Sequence, residues 1–148
     1  MLLTLGPPAV ADQNLVGKSA PEIAASEWLN SKPMSLKALK GKVVVVEFWA
    51  TWCRPCRASI PHLNEMFARY GKKGVAFVSL TDEDPATVQP FAREMGMKYP
   101  IGMASKSSEA YDVTGIPFAV IVGKNGKIAW TGHPMDPEME SALQKQVK

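Results

Sequence analysis

The sequence predicts an α/β fold, a partly parallel sheet with helices packed on both faces. Three observations carry this. Val43-Val44-Val45-Val46-Glu47-Phe48-Trp49 is a continuous, β-branched run, the pattern of a central strand covered on both faces. Strand-like and helix-like segments alternate after it, the order in which crossover connections join parallel strands. Near the end, Gly123-Lys124-Asn125-Gly126 separates two short apolar runs. Asn-Gly is the strongest short hairpin signal, so antiparallel strands close the sheet.

The elements follow in order. Residues 12–20 read as loop, and 21–34 as short strands and turns around Ile23 and Trp28-Leu29, broken by Pro21 and Pro33. Ser35 is placed to cap a short helix from Leu36 to Lys40, closed by Gly41. The Val43–Trp49 strand leads to a helix from about Cys53 to Tyr70. Its Ile60, Leu63, Phe67 and Tyr70 share one face by three- and four-residue spacing, and Pro61 lies inside it, where a kink is expected. Val75 to Leu80 is a second buried strand. Asp84-Pro85 opens a helix that ends near Met95-Gly96, since Pro suits a first turn. Tyr99 to Met103 reads as a short strand and Ser107 to Tyr111 as a short helix. Phe118 to Val122 and Lys127 to Trp130 form the hairpin, and a last helix runs from Asp136-Pro137 towards Val147.

The chain has 148 residues, 46% of them apolar, which suits one domain over residues 12–148 with a core that needs no covalent staple. The two cysteines therefore call for another explanation. The formal charge of +3 is spread along the chain with no basic stripe, which argues against a nucleic-acid binder. No run approaches the roughly 18 consecutive apolar residues of a membrane span. Residues 1–11 join a short apolar run to Ala9-Val10-Ala11, a small-residue pattern like a signal-peptidase site, without a basic start. They read either as the remnant of a signal peptide or anchor, or as a tail.

The chemistry lies in Trp52-Cys53-Arg54-Pro55-Cys56. Two cysteines three apart, where a buried strand hands over to a helix, bring both sulfurs to the first helical turn. The helix start adds partial positive charge and free N–H groups beside Cys53, which favours its thiolate. Arg54 adds a neighbouring cation, and Pro55 stiffens the backbone between the sulfurs. Cys53 is then the attacking nucleophile, and Cys56, one turn deeper, resolves the mixed disulfide. A zinc site would need four ligands. His62 lies too far along the same helix, about 9 Å, to join the pair. A purely structural disulfide closing so short a loop would stabilise little.

The segment Glu47-Phe48-Trp49-Ala50-Thr51-Trp52-Cys53-Arg54-Pro55-Cys56 resembles the active-site segment of thioredoxin-like proteins. Pro61 stands where they carry a kinking proline, and Gly115-Ile116-Pro117 is similar to their cis-proline loop. Within that superfamily the chain resembles the TlpA/ResA type of extracytoplasmic thiol–disulfide oxidoreductases. Gly17-Lys18-Ser19-Ala20-Pro21, Gly41-Lys42 and Ala50-Thr51-Trp52-Cys53 carry that likeness. The fold implied is thioredoxin-like: a central mixed sheet flanked by helices, with an N-terminal extension and a helix–strand insert over about Asp84 to Met103. Peroxiredoxins share the fold but need Thr or Ser where Ala50 stands, three before the reactive cysteine.

The resemblance also implies roles. Pro117 would be cis and face the cysteines, and the backbone of Ile116 would touch bound peptide. Glu47 falls where thioredoxins carry a buried acid, usually Asp, and would take the proton of Cys56. The alternative for Glu47 is a solvated residue at a strand end. Trp52, Arg54 and Pro55 would border the substrate, Trp52 either as docking surface or as a core residue. Phe118 departs from the Thr that many relatives carry after the cis-proline. The activity implied is disulfide exchange with protein substrates, most often as a reductant. It would need no cofactor beyond the Cys53–Cys56 disulfide. A monomer is expected, with a membrane or soluble electron donor and apocytochrome c as one candidate substrate. The rival reading is a copper-handling module that uses the two thiolates, with His133 or Met135 approaching as a further ligand.

Overall fold

The computed structural model describes residues 14–148, so the reading of residues 1–11 lies outside the described residues. Its elements are β1 (Glu27–Leu29), β2 (Val44–Phe48), α1 (Arg54–Gly71), β3 (Ala76–Leu80), α2 (Pro85–Met95), β4 (Ile101–Met103), β5 (Phe118–Val122), β6 (Ile128–Gly132) and α3 (Pro137–Gln146). The sheet order is β1-β4-β3-β2-β5-β6. β2 pairs parallel with β3 and antiparallel with β5, and β3 pairs parallel with β4. β2 is central and buried along its whole length, as its unbroken valine run requires. The β5–β6 hairpin turns where expected, with Gly126 at φ 80°.

The layering differs from expectation. The connections β2–α1–β3 and β3–α2–β4 step the same way across the sheet. With one hand of crossover, both helices then fall on the same face. Val45, Phe77 and Ile121 of the sheet share a buried cluster with Leu63 of α1, Val88 of α2 and Leu143 of α3. The other face, through Val46, Val78 and Val120, is covered by Ile23, Leu36, Leu39, Tyr111 and Val113. These belong to loops and turns, not helices.

Both short helices expected from the sequence are turns. Over 36–40, the Ser35 hydroxyl accepts the Ala38 N–H, and the Glu22 carboxylate accepts the N–H groups of Leu36 and Lys37. So short a segment cannot offset the cost of helix nucleation, and side chains satisfy its donors instead. Over 107–111, the chain turns through Asp112 at φ 51°. Ile23 is buried within an irregular segment, and of the expected 21–34 strands only β1 forms. The helix–strand insert appears as α2 and β4. Asp84 caps α2 by accepting the Thr87 N–H at 2.9 Å, and the helix runs through Pro90 to a left-handed Gly96.

Candidate active site

β2 delivers its last residues to one end of the sheet, and the turn 50–53 starts α1 there. Cys53 is the N-cap of α1, and its sulfur accepts the Cys56 N–H at 3.2 Å. The cap therefore occupies one of the donors that a helix start leaves free, and the helix field acts on that same sulfur. Cys53 and Cys56 form a disulfide with Cα atoms 5.2 Å apart. Cys53 is 4% exposed and Cys56 1%. The helix start is thus more covered than the sequence suggests, because a second segment lies against it. The Ile116–Pro117 peptide is cis, and the Ile116 carbonyl oxygen lies 3.7 Å from the Cys53 sulfur.

Glu47 sits on the side of β2 that carries Val43, Val45 and Trp49, the same buried cluster as both cysteines. It is 2% exposed, so it is not a solvated strand end. The Ser79 hydroxyl donates to its carboxyl at 2.6 Å, across the directly paired positions of β2 and β3. Burial raises the pKa of Glu47 from the ordinary 4.5 to about 8, against the opposing pull of the Ser79 hydrogen bond. The phenol of Tyr99 is pushed up by its own burial and then by the Glu47 charge.

Trp52 is 73% exposed, which excludes a core role. Arg54 and Pro55 are exposed on the first turn of α1. Beside Trp52 opens a cleft of about 380 Å³, lined among others by Phe48, Trp49, Asp82, Val113 and Ile116. Phe118 stacks on Phe48 beneath this end of the sheet. His133 and Met135 follow β6 at the same end, both exposed, and the ring of His133 accepts the Met135 N–H. The described residues hold no group of three His, Cys, Asp or Glu placed for a metal.

One residue at this end was not singled out from the sequence. Glu83 accepts the Thr51 N–H at 2.9 Å, the Thr51 hydroxyl at 2.6 Å and the Thr81 hydroxyl at 2.8 Å. It lies in a polar Asp-Glu-Asp loop, which reads as solvent-facing. Only the fold shows that it meets the turn before Cys53.

Residues 16–131 match the AhpC/TSA family. The chain belongs to that family. Thiol-disulfide oxidoreductase ResA of Bacillus cereus is 34% identical over 135 residues, covering 88% of this chain and 78% of that protein. ResA of Geobacillus thermodenitrificans is 34% identical over 116 residues, covering 76% and 66%. A thiol:disulfide interchange protein of the thioredoxin family from Chlorobium tepidum TLS superposes with a TM-score of 0.74 at 26% identity, over 88% of this chain and 97% of that one. A crystal structure of a thioredoxin-like superfamily protein reaches a TM-score of 0.80 at 23% identity, over 88% and 97%, and bears on the fold alone. This AhpC/TSA family member has a thioredoxin-like fold and is a thiol–disulfide oxidoreductase of the ResA type with a Cys-x-x-Cys pair.

Proposed function

We propose that this protein reduces disulfides of protein substrates on the extracytoplasmic side, with Cys53 attacking, Cys56 resolving and Glu47 moving the proton. The placement of Cys53 as the N-cap of α1, against the Ile116 carbonyl of the cis-proline loop, carries the reading. The Cys53 thiolate attacks one sulfur of the substrate disulfide; that S–S bond breaks, and the other substrate sulfur leaves as thiolate. Cys56 gives its proton to Glu47 and attacks the Cys53 sulfur of the mixed disulfide. The second substrate sulfur is released, and the Cys53–Cys56 bond forms. A donor of two electrons, in a membrane or soluble, restores the dithiol.

Glu47 suits the resolving step because its pKa of about 8 lies near that of a free thiol, about 8.5, so the proton passes with little free-energy change. The backbone at Ile116 and the face of Trp52 offer a bound polypeptide an edge and an apolar platform beside the cleft. The resemblance to the TlpA/ResA type supports the reductive direction, the location and apocytochrome c as a candidate substrate. The disulfide is then the whole redox centre, and residues 12–148 work as one domain.

Equilibration of the Cys53–Cys56 pair with thiol/disulfide buffers, followed by Trp52 fluorescence, tests the reading. A potential near or below about −250 mV is expected, whereas one near −120 mV would mark an oxidant. Absence of a reversible two-electron transition would refute the exchange mechanism.

A further inference from the structure

We propose that Glu83 is a positioning residue that sets how closely Cys53 is held to Cys56 once their disulfide is reduced. The inference rests on these two cysteines being the redox pair. The turn that carries Cys53 closes through the Cys53 N–H to the Ala50 carbonyl. Thr51 lies inside that turn, and both its backbone N–H and its hydroxyl donate to the Glu83 carboxylate, at 2.9 and 2.6 Å. One side chain therefore grips the turn at two points.

Glu83 is itself held from behind. Its carboxylate takes the Thr81 hydroxyl at 2.8 Å, its N–H donates to the Thr81 oxygen at 3.2 Å, and its carbonyl accepts the Ala104 N–H at 2.7 Å. Thr81 is buried and follows β3, while Ala104 follows β4. The grip thus ties the nucleophile's turn to the exits of two neighbouring strands. Hydrogen bonds to a charged acceptor are the strong kind, and two from one residue fix orientation as well as distance.

The consequence depends on redox state. In the disulfide form the S–S bond holds the turn to α1, whatever Glu83 does. In the dithiol that bond is gone, and the Glu83 contacts limit how far Cys53 drifts from Cys56. Ring closure takes two electrons and two protons from the thiols and gives them to an oxidant such as oxidised dithiothreitol. Its equilibrium constant follows the effective concentration of one sulfur at the other. Loss of the grip lowers that concentration, so the disulfide becomes easier to reduce and the potential less negative. The same loss slows the attack of Cys56 on a mixed disulfide and leaves the first attack by Cys53 nearly unchanged.

The test compares Glu83→Ala, Glu83→Gln and Thr51→Val with the wild type in dithiothreitol redox buffers, with thermal melts of the oxidised forms as control. Glu83→Ala is expected to lower the closure constant about tenfold, a rise of about 30 mV, and to let mixed disulfides accumulate. Glu83→Gln keeps the length and an acceptor for the Thr51 N–H, and should restore most of the closure. Thr51→Val loses only the hydroxyl contact and should shift the potential the same way by less; it serves alone if Glu83→Ala does not fold. Unchanged potentials in the variants, beside a normally titrating wild type, would overturn the role of Glu83. Equal shifts in Glu83→Ala and Glu83→Gln would show that charge, not position, is the agent. A wild type with no two-electron transition would instead bring down the pair itself.

Discussion

Glu47→Gln should make the protein more stable and less active at once, and the stability gain should grow with pH. Burial holds the Glu47 pKa at about 8, against 4.5 for the exposed group. Between those values the folded protein keeps a proton that the unfolded chain has lost. Folding stability therefore falls as pH rises, by about 1.4 kcal/mol for each pH unit in that window. Below it both states hold the proton, and above it neither does, so the slope vanishes on both sides. At pH 7 the accumulated cost is about 3 kcal/mol. Gln cannot ionise, and its amide oxygen can still accept the Ser79 hydroxyl. Urea unfolding of the oxidised protein, with the disulfide intact, measures this from about pH 5 to about pH 8. The two proteins should start close together, and the variant should gain on the wild type as pH rises. Parallel curves over that range would refute the argument, because they would mean that Glu47 does not carry its proton into the folded state.

The same substitution should slow release of the reduced substrate near neutral pH, measured by rapid quench of a mixed disulfide. In the wild type that step should speed up as pH rises towards 8, because the proton-accepting form of Glu47 grows. Cys53→Ser should abolish exchange, and residual activity at the wild-type rate would remove Cys53 as nucleophile. Cys56→Ser should trap mixed disulfides on a non-reducing gel. Tight stoichiometric Cu(I) binding by the dithiol that suppresses exchange, with His133 or Met135 needed for that affinity, would favour the copper-handling reading. Gly102→Ala should destabilise by roughly 1–3 kcal/mol in denaturant melts, because an added Cβ would sit 2.7 Å from Leu80 and 2.9 Å from Ala25.

Local signals were legible wherever one kind of contact decides the structure. The valine run of β2 suits a strand buried on both sides, and β2 is buried along its whole length. Asp84 and Asp136 cap their helices because a short carboxylate followed by proline suits a first turn. The segment 36–40 forms a turn rather than a helix because Ser35 and Gly41 are equally at home around a turn, and 107–111 is likewise a turn, closed by the Asp112 N–H to the Glu109 carbonyl with Asp112 at φ 51°. At 36–40 the outcome depends on Glu22, 14 residues before Leu36, taking the backbone donors. The covering of the second sheet face by turns follows from the direction of two crossovers, which no local pattern encodes.

The segment Glu47 to Cys56 by itself determined the chemistry, since a cysteine pair at a strand-to-helix junction acts through its own backbone and the helix it begins. What the tertiary structure alone decided is the company that pair keeps. Ser79 meets Glu47 because β2 and β3 pair in register, and Glu83 meets Thr51 because the loop after β3 ends beside the turn after β2. Each of these pairs is 32 residues apart. Contacts at that distance depend on strand register and crossover direction, which packing of the whole chain sets and residue spacing does not.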